Sequence, residues 1–175
     1  MKKEVTTYYL EMTGPDELRA KPSPRENIFV QEACLPMGEL NQFFDLTVGA
    51  DYYWLDHAGW SKAEWQRYAE RDEVSLFVGY EQGTPFGYFE LIDVNKDIEI
   101  MCFGLLPAFI GRGLGGYLLS EAVKAAWSKQ AKRVWLHTCS FDHPSALANY
   151  QARGFKLYKE EKSLKDLSLD QESPA

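Results

Sequence analysis

One chain of 175 residues with 45% hydrophobic and 14% aromatic side chains holds enough apolar surface for the core of one domain, and too much for a disordered chain. Its formal net charge of -7 repels phosphates and anionic headgroups, which argues against nucleic acid and membrane partners and mildly favours a cationic ligand. No apolar run approaches the roughly 20 residues that span a bilayer, and Lys2 and Lys3 lead into polar residues rather than an apolar signal core.

In chain order, Thr6 to Met12 reads as a first strand, stopped by Gly14-Pro15. Ala20 to Asn27, with Pro22 and Pro24, is a connector, and Ile28-Phe29-Val30 a short strand piece. Leu40, Phe43, Phe44 and Val48 recur at helical spacing, and Gly49 is expected to close that helix in a left-handed cap. Asp51 to Trp60 is an aromatic loop. A second helix starts at Ser61, whose hydroxyl and Glu64 form a capping box, with Trp65, Tyr68 and Ala69 facing inward.

Val74 to Tyr80, Phe86 to Asp93 and Ile98 to Leu105 read as an antiparallel meander joined by short loops. Tyr117 to Gln130 is an amphipathic helix buried along Leu118, Leu119, Ala122, Val123, Ala126 and Trp127. Val134 to Thr138 then returns by a crossover, parallel to the Ile98 strand. Pro144 and Gly154 bracket a short helix, and Phe155 to Lys159 is a last strand. Past Glu160 the chain is mostly charged, which predicts one domain over residues 1–160 and a frayed polar tail over 161–175.

Cys34, Cys102 and Cys139 have no metal-ligand spacing and read as buried free thiols of a reducing compartment. His57, His137 and His143 are scattered, so no metal site is expected and a cytoplasmic protein is.

The chemistry concentrates where the meander meets the amphipathic helix, in the stretch Phe103 to Gly116. A glycine-rich turn that opens a helix presents backbone N–H groups and the positive end of the helix dipole to an anion. Gly111, Gly113 and Gly116 fit the G-x-G-x-x-G spacing of dinucleotide folds. That reading fails because four residues separate them from the strand, they lie past mid-chain, and no acid-ended strand arrives about 20 residues later.

Ile110-x-x-Gly113-x-Gly115 instead resembles the Q/R-x-x-G-x-G/A pyrophosphate loop of the GNAT superfamily of acyl-CoA-dependent N-acetyltransferases. Asp142 to Phe155 is similar to that family's N-x-x-A-x-x-x-Y-x-x-x-G-F segment, with His143 where Asn is usual. The resemblance implies an α/β fold: a mixed, mostly antiparallel sheet with helices on both faces and a splayed parallel strand pair. It implies acetyl-CoA as cosubstrate, with no metal. Phe103, Gly104 and Leu105 would meet the pantetheine as an added strand would. Ile110, Gly111, Arg112, Gly113, Leu114, Gly115 and Gly116 would hold the pyrophosphate, chiefly through backbone N–H with a charge-assisted contact from Arg112. Asn149 would reach the same cosubstrate.

By the same resemblance Tyr150 is the acid that reprotonates the leaving thiolate; it also reads as a core aromatic. Glu99 stands where the basic glutamate of histone-acetylating members lies, with Glu90 on the neighbouring strand as rival. Either also reads as an outward strand residue. Tyr53, Trp54 and Asp56 would line a pocket for a small-molecule or peptide amine, or anchor a loop. The expected activity is direct acetyl transfer to a primary amine. A non-catalytic acyl-CoA sensor on the same fold is the alternative, and a homodimer is left open.

Overall fold

The computed structural model describes residues 2–166. They form a seven-stranded sheet and four α-helices. In chain order these are β1 (Lys2–Met12), β2 (Ile28–Glu32), α1 (Gly38–Gly49), α2 (Lys62–Ala69), β3 (Val74–Glu81), β4 (Thr84–Val94), β5 (Asp97–Leu105), α3 (Gly115–Ser128), β6 (Arg133–Cys139), α4 (Ala146–Ala152) and β7 (Lys156–Asp166). The sheet order is β2-β3-β4-β5-β6-β1-β7, and β5 with β6 is its parallel pair among the described residues. This is the mixed, mostly antiparallel sheet expected.

Local chemistry fixes the meander. Gln82-Gly83 joins β3 to β4 and Asn95-Lys96 joins β4 to β5, and all four residues have positive φ. Two-residue turns of that kind match the right-handed twist of the flanking strands. From Phe86 to Ile92 β4 is buried at every position, because helices cover both faces of the central sheet. On one face Leu118, Leu119, Ala122, Val123 and Ala126 of α3 share a core with Leu10, Phe89, Leu91, Ile98, Val134 and Phe155. On the other, Phe44 and Val48 of α1 meet Leu76, Val78, Tyr88 and Cys102, while Trp65 and Tyr68 of α2 pack on Ile92.

The parallel pair opens after three rungs, Asp97 to Arg133, Ile98 to Val134 and Glu99 to Trp135. The closed end is bolted. Arg133 forks both carboxylate oxygens of Asp97 at 2.9 and 3.0 Å and reaches Glu11 of β1 at 3.0 Å. Past it, the register of β4 with β5 slips between Glu90–Cys102 and Leu91–Ile100, leaving Met101 as an extra residue. A bulge of this kind bends its strand, and here it turns β5 away from β6.

Three expectations change. Gly49 is absent from the positive-φ residues; its missing Cβ makes room for Trp54, whose Cβ would lie 2.7 Å from an added one. The last strand does not stop at Lys159 but runs to Asp166, paired with β1 back to Lys2. Its charged side chains suit a solvated edge strand, which needs backbone pairing more than apolar burial. The rest of the polar tail, 167–175, lies outside the described residues. Of the cysteines, Cys102 is buried, Cys139 is partly so and Cys34 is exposed. Among the described residues no helix is long and apolar enough to cross a membrane.

The capping box forms as read. Glu64 N donates to Ser61 Oγ at 3.3 Å, and Ser61 N donates to Glu64 Oε2 at 2.7 Å. Ser61→Ala is expected to cost about 1 kcal/mol by chemical denaturation, and Ser61→Gly only a few tenths.

Candidate active site

The parted strands, the loop before α3 and the turns around α1 and α4 enclose a cleft of about 990 Å³. Phe103, Gly104 and Leu105 form one wall and His137 and Cys139 the other. Gly104 is required where it stands, since an added Cβ would fall 2.3 Å from Val48 Cγ1. Facing edges of β5 and β6 past the third rung therefore carry peptide groups with no strand partner between them.

At the wide end, Ile110, Gly111, Gly113, Leu114, Gly115 and Gly116 line the cleft. Gly111 and Gly113 have φ of 81° and 78°, a backbone that other residues adopt only under strain. The first amide taken up by α3 is that of Leu118, at 2.9 Å from Leu114 O. Among the described residues, the amides of Gly111 to Tyr117 donate to no backbone carbonyl. Arg25 Nη1 donates to Arg112 O at 3.0 Å, and because a trans peptide points its C=O and N–H in opposite directions, Gly113 N–H is turned away from Arg25. Such a run of free amides at a helix start suits an anion.

Arg112 itself is not in the lining. Its guanidinium pairs with Glu81 at 3.3 Å and lies over the Phe109 ring. Asn149 and Tyr150 of α4 do line the cleft. The Tyr150 ring meets Phe103 edge-on, and burial, reinforced by Asp142 and Cys102, holds its pKa well above the usual phenol value. It stays protonated throughout the working pH range.

Tyr53, Trp54 and Asp56 also line the cleft, on the loop between α1 and α2. Trp54 is fixed by Asp142: its Nε1 donates to Oδ1 at 3.0 Å, while Oδ2 accepts from Thr138 Oγ1 at 2.5 Å and Cys139 N at 2.9 Å. That carboxylate ties the aromatic loop to the end of β6. His143 caps the turn before α4, its Nδ1 accepting from Ser145 N.

The two candidate glutamates part company. Glu90 is buried and outside the lining, accepting from Asn41 Nδ2 at 2.7 Å and Tyr68 Oη at 2.6 Å. Burial pushes its pKa up. Glu99 lies at the last rung, also behind the lining, with its Oε1 3.0 Å from Nδ1 of His137, which does face the cleft. The sequence reading missed His137 and a second pair, His57 Nδ1 with Asp45 Oδ1 at 3.3 Å. A signal for the first was present, since Val134 and Leu136 alternate into the core and so put Trp135 and His137 on the opposite face. Among the described residues no group of three or more His, Cys, Asp and Glu is placed to hold a metal.

A family model described as "Acetyltransferase (GNAT) family" matches residues 40–155. Similar solved structures include a GCN5-related N-acetyltransferase from Sphaerobacter thermophilus, with a TM-score of 0.68, 15% identity and coverage of 91% of this chain and 50% of that one. Another, from Kribbella flavida, gives a TM-score of 0.66 at 16% identity, covering 93% and 58%. An "IAA acetyltransferase" from Bacillus cereus gives 0.56 at 20%, covering 75% and 79%. At these identities the likeness is one of fold, and the chain spans only 50% and 58% of the length of the first two. No curated protein sequence matches the chain.

The partly buried His57–Asp45 pair in the cleft lining links stability to pH. The Asp45 hydrogen bond raises the His57 pKa above 6.5 against the opposing effect of burial. The stabilisation is complete below the unfolded value near 6.5 and is lost as pH rises through the higher folded one. Asp45→Asn should therefore lower the denaturation midpoint more at pH 6 than at pH 9; an equal loss at both would show that His57 does not carry the charge.

Proposed function

The chain belongs to the GNAT acetyltransferase family, and on that premise we propose that it moves an acetyl group from acetyl-CoA to a primary amine of a small molecule or peptide, by direct attack. The observation that carries this is the meeting of two features: strands that part after three rungs, and a run of free amides at the mouth of the gap. The residues fit the cosubstrate. No atom lies within 4 Å of a Cβ built on Gly111, and only Pro24 Cβ, at 4.0 Å, comes near one on Gly113, so an anion can approach the amides closely. Gly104 and its neighbours offer an unpaired strand edge to an amide-bearing chain.

Acetyl-CoA, when bound, supplies the thioester. The protein's residues do the rest. Gly111 to Gly116 hold the diphosphate, with Asn149 beside them, and Arg112 acts on loop shape through Glu81. A backbone N–H of β5 polarises the carbonyl as its oxygen gains charge. Tyr150 is the acid. A phenol with a raised pKa gives up a proton reluctantly, so its donation to the thiolate is coupled to receipt of the attacking nitrogen's second proton, and Tyr150 ends as it began. Tyr53 and Trp54 wall the acceptor, and Asp56, exposed and without a side-chain partner among the described residues, attracts its positive charge.

A screen of polyamines, amino acids, aminoglycosides and peptide N-termini with acetyl-CoA, read as thiol release, tests the activity. Tight acetyl-CoA binding by calorimetry without release from any amine would favour a sensor instead. Tyr150→Phe is expected to lower kcat about 100-fold with KM for acetyl-CoA nearly unchanged. Equal damage to both would argue against the acid role. Gly113→Asp puts a like charge and a strained backbone against the diphosphate, and calorimetry should detect no acetyl-CoA binding; unchanged affinity would place the diphosphate elsewhere.

A further inference from the structure

Direct transfer to an amine needs a group that removes a proton from the ammonium form, and two histidine–carboxylate pairs touch the cleft. They are not equivalent. His57 is wedged among Trp60, Trp65 and Tyr68, with ring centroids 4.3, 5.2 and 5.6 Å away, and its side chain is 15% exposed. His137 is 40% exposed while its partner Glu99 is 12% exposed. The carboxylate lies behind the ring and the ring faces the cavity.

Position separates them further. His137 stands two residues past Trp135, the last residue of β6 to pair with β5. A chain laid in the gap with its anionic end at Gly111 to Gly116 would pass Leu105, Gly104 and Phe103 on its way to that apex, in the cleft that His137 also lines. Glu99 occupies Nδ1 at 3.0 Å. Because an ionised carboxylate only accepts, the neutral ring keeps its proton on Nδ1 and carries its lone pair on Nε2, the nitrogen turned from Glu99.

We propose that His137 Nε2 is the base that takes the proton from the acceptor ammonium, and that Glu99 is a positioning residue that fixes the tautomer of His137 and holds the imidazolium formed. The inference rests on the acetyl transfer proposed above for its reaction, and on side-chain geometry for its residues. The balance is complete. Nε2 receives one proton from R–NH3+; the neutral nitrogen bonds to the thioester carbonyl carbon; the C–S bond breaks; the nitrogen's second proton reaches sulfur by way of Tyr150. Products are the amide and free CoA thiol, and His137 returns its proton to solvent.

The groups facing the imidazole agree with this. Glu99 from β5 raises its pKa most, Asp142 from the β6–α4 loop and Asp56 from the α1–α2 loop add to that, and desolvation opposes them. Tyr9 of β1 and Trp135 lie against the ring at 5.8 and 6.3 Å. A raised pKa brings the imidazole nearer to that of an amine, and it means that activity climbs with pH as His137 loses its proton.

The test begins without an acceptor. Nitrogen-15 NMR of the full chain, with His137→Gln to assign the signal, should show a neutral His137 ring protonated at Nδ1 and bare at Nε2. In Glu99→Gln the midpoint should fall and the tautomer become mixed. A neutral ring protonated at Nε2 overturns the proposal whatever the turnover screen yields. With an acceptor in hand, His137→Gln should lower kcat/KM about 100-fold and abolish the acidic limb of its pH profile, while acetyl-CoA affinity stays within about twofold. Glu99→Gln should keep that limb but move it to lower pH. A His137→Gln enzyme within about threefold of wild type, with the limb intact, overturns the role of His137 and leaves acetyl transfer standing. Wild-type protein that binds no acetyl-CoA overturns both.

Discussion

Two neighbouring strands that pair for three rungs and then separate are the constraint on which everything near the cleft depends. Backbone groups that lose a partner cost roughly 1–3 kcal/mol each if they are also kept from water. The gap is tolerable because it opens to solvent, and it stays open because it is held at both ends. The Arg133 fork on Asp97 keeps the apex shut, while the extra residue at Met101 bends β5 outward. Val48 then fills the space that a side chain at position 104 would need. None of these three devices belongs to the glycine loop, yet together they set the direction in which the cleft runs.

The placement of the titratable groups at the cleft follows from the same geometry. Glu99 is the last paired residue of β5 and His137 lies just past the last paired residue of β6, so the point where the sheet opens is also where a carboxylate backs an imidazole. Tyr150 reaches the cleft from α4, where the wall residue Phe103 meets it edge-on. Tyr150 and His137 thus come from different elements and line one cleft where the sheet is split.

Much of this was legible in the residues. The two turns, the Ser61–Glu64 box and the stripe on α3 are local codes, written within a few positions and insensitive to what packs above them. The spaced glycines and Tyr150 were visible as short motifs, and all line the cleft. What escaped was non-local. His137 and Glu99 are 38 positions apart, and only the parallel register brings them together. The charged run after Glu160 looked unfit for a strand because an edge strand is selected by its partner's open edge rather than by its own apolar content. Gly49 was misjudged because a glycine at a helix end has two explanations, a left-handed turn or a neighbour that needs the room, and Trp54 supplied the second.

The connector between β1 and β2 holds one further arrangement. Arg25, 56 positions from Glu81, donates to its carboxylate through Nε at 2.7 Å, while its Nη1 grips the carbonyl of Arg112, 87 positions away. Glu81 in turn faces the Arg112 guanidinium, and Lys21 N anchors the same connector to Ser120 Oγ on α3. The curvature of the glycine turn is thereby written in three separate parts of the chain. A graft of residues 107–116 alone onto another sheet would transplant the letters of that turn without the brace that shapes it.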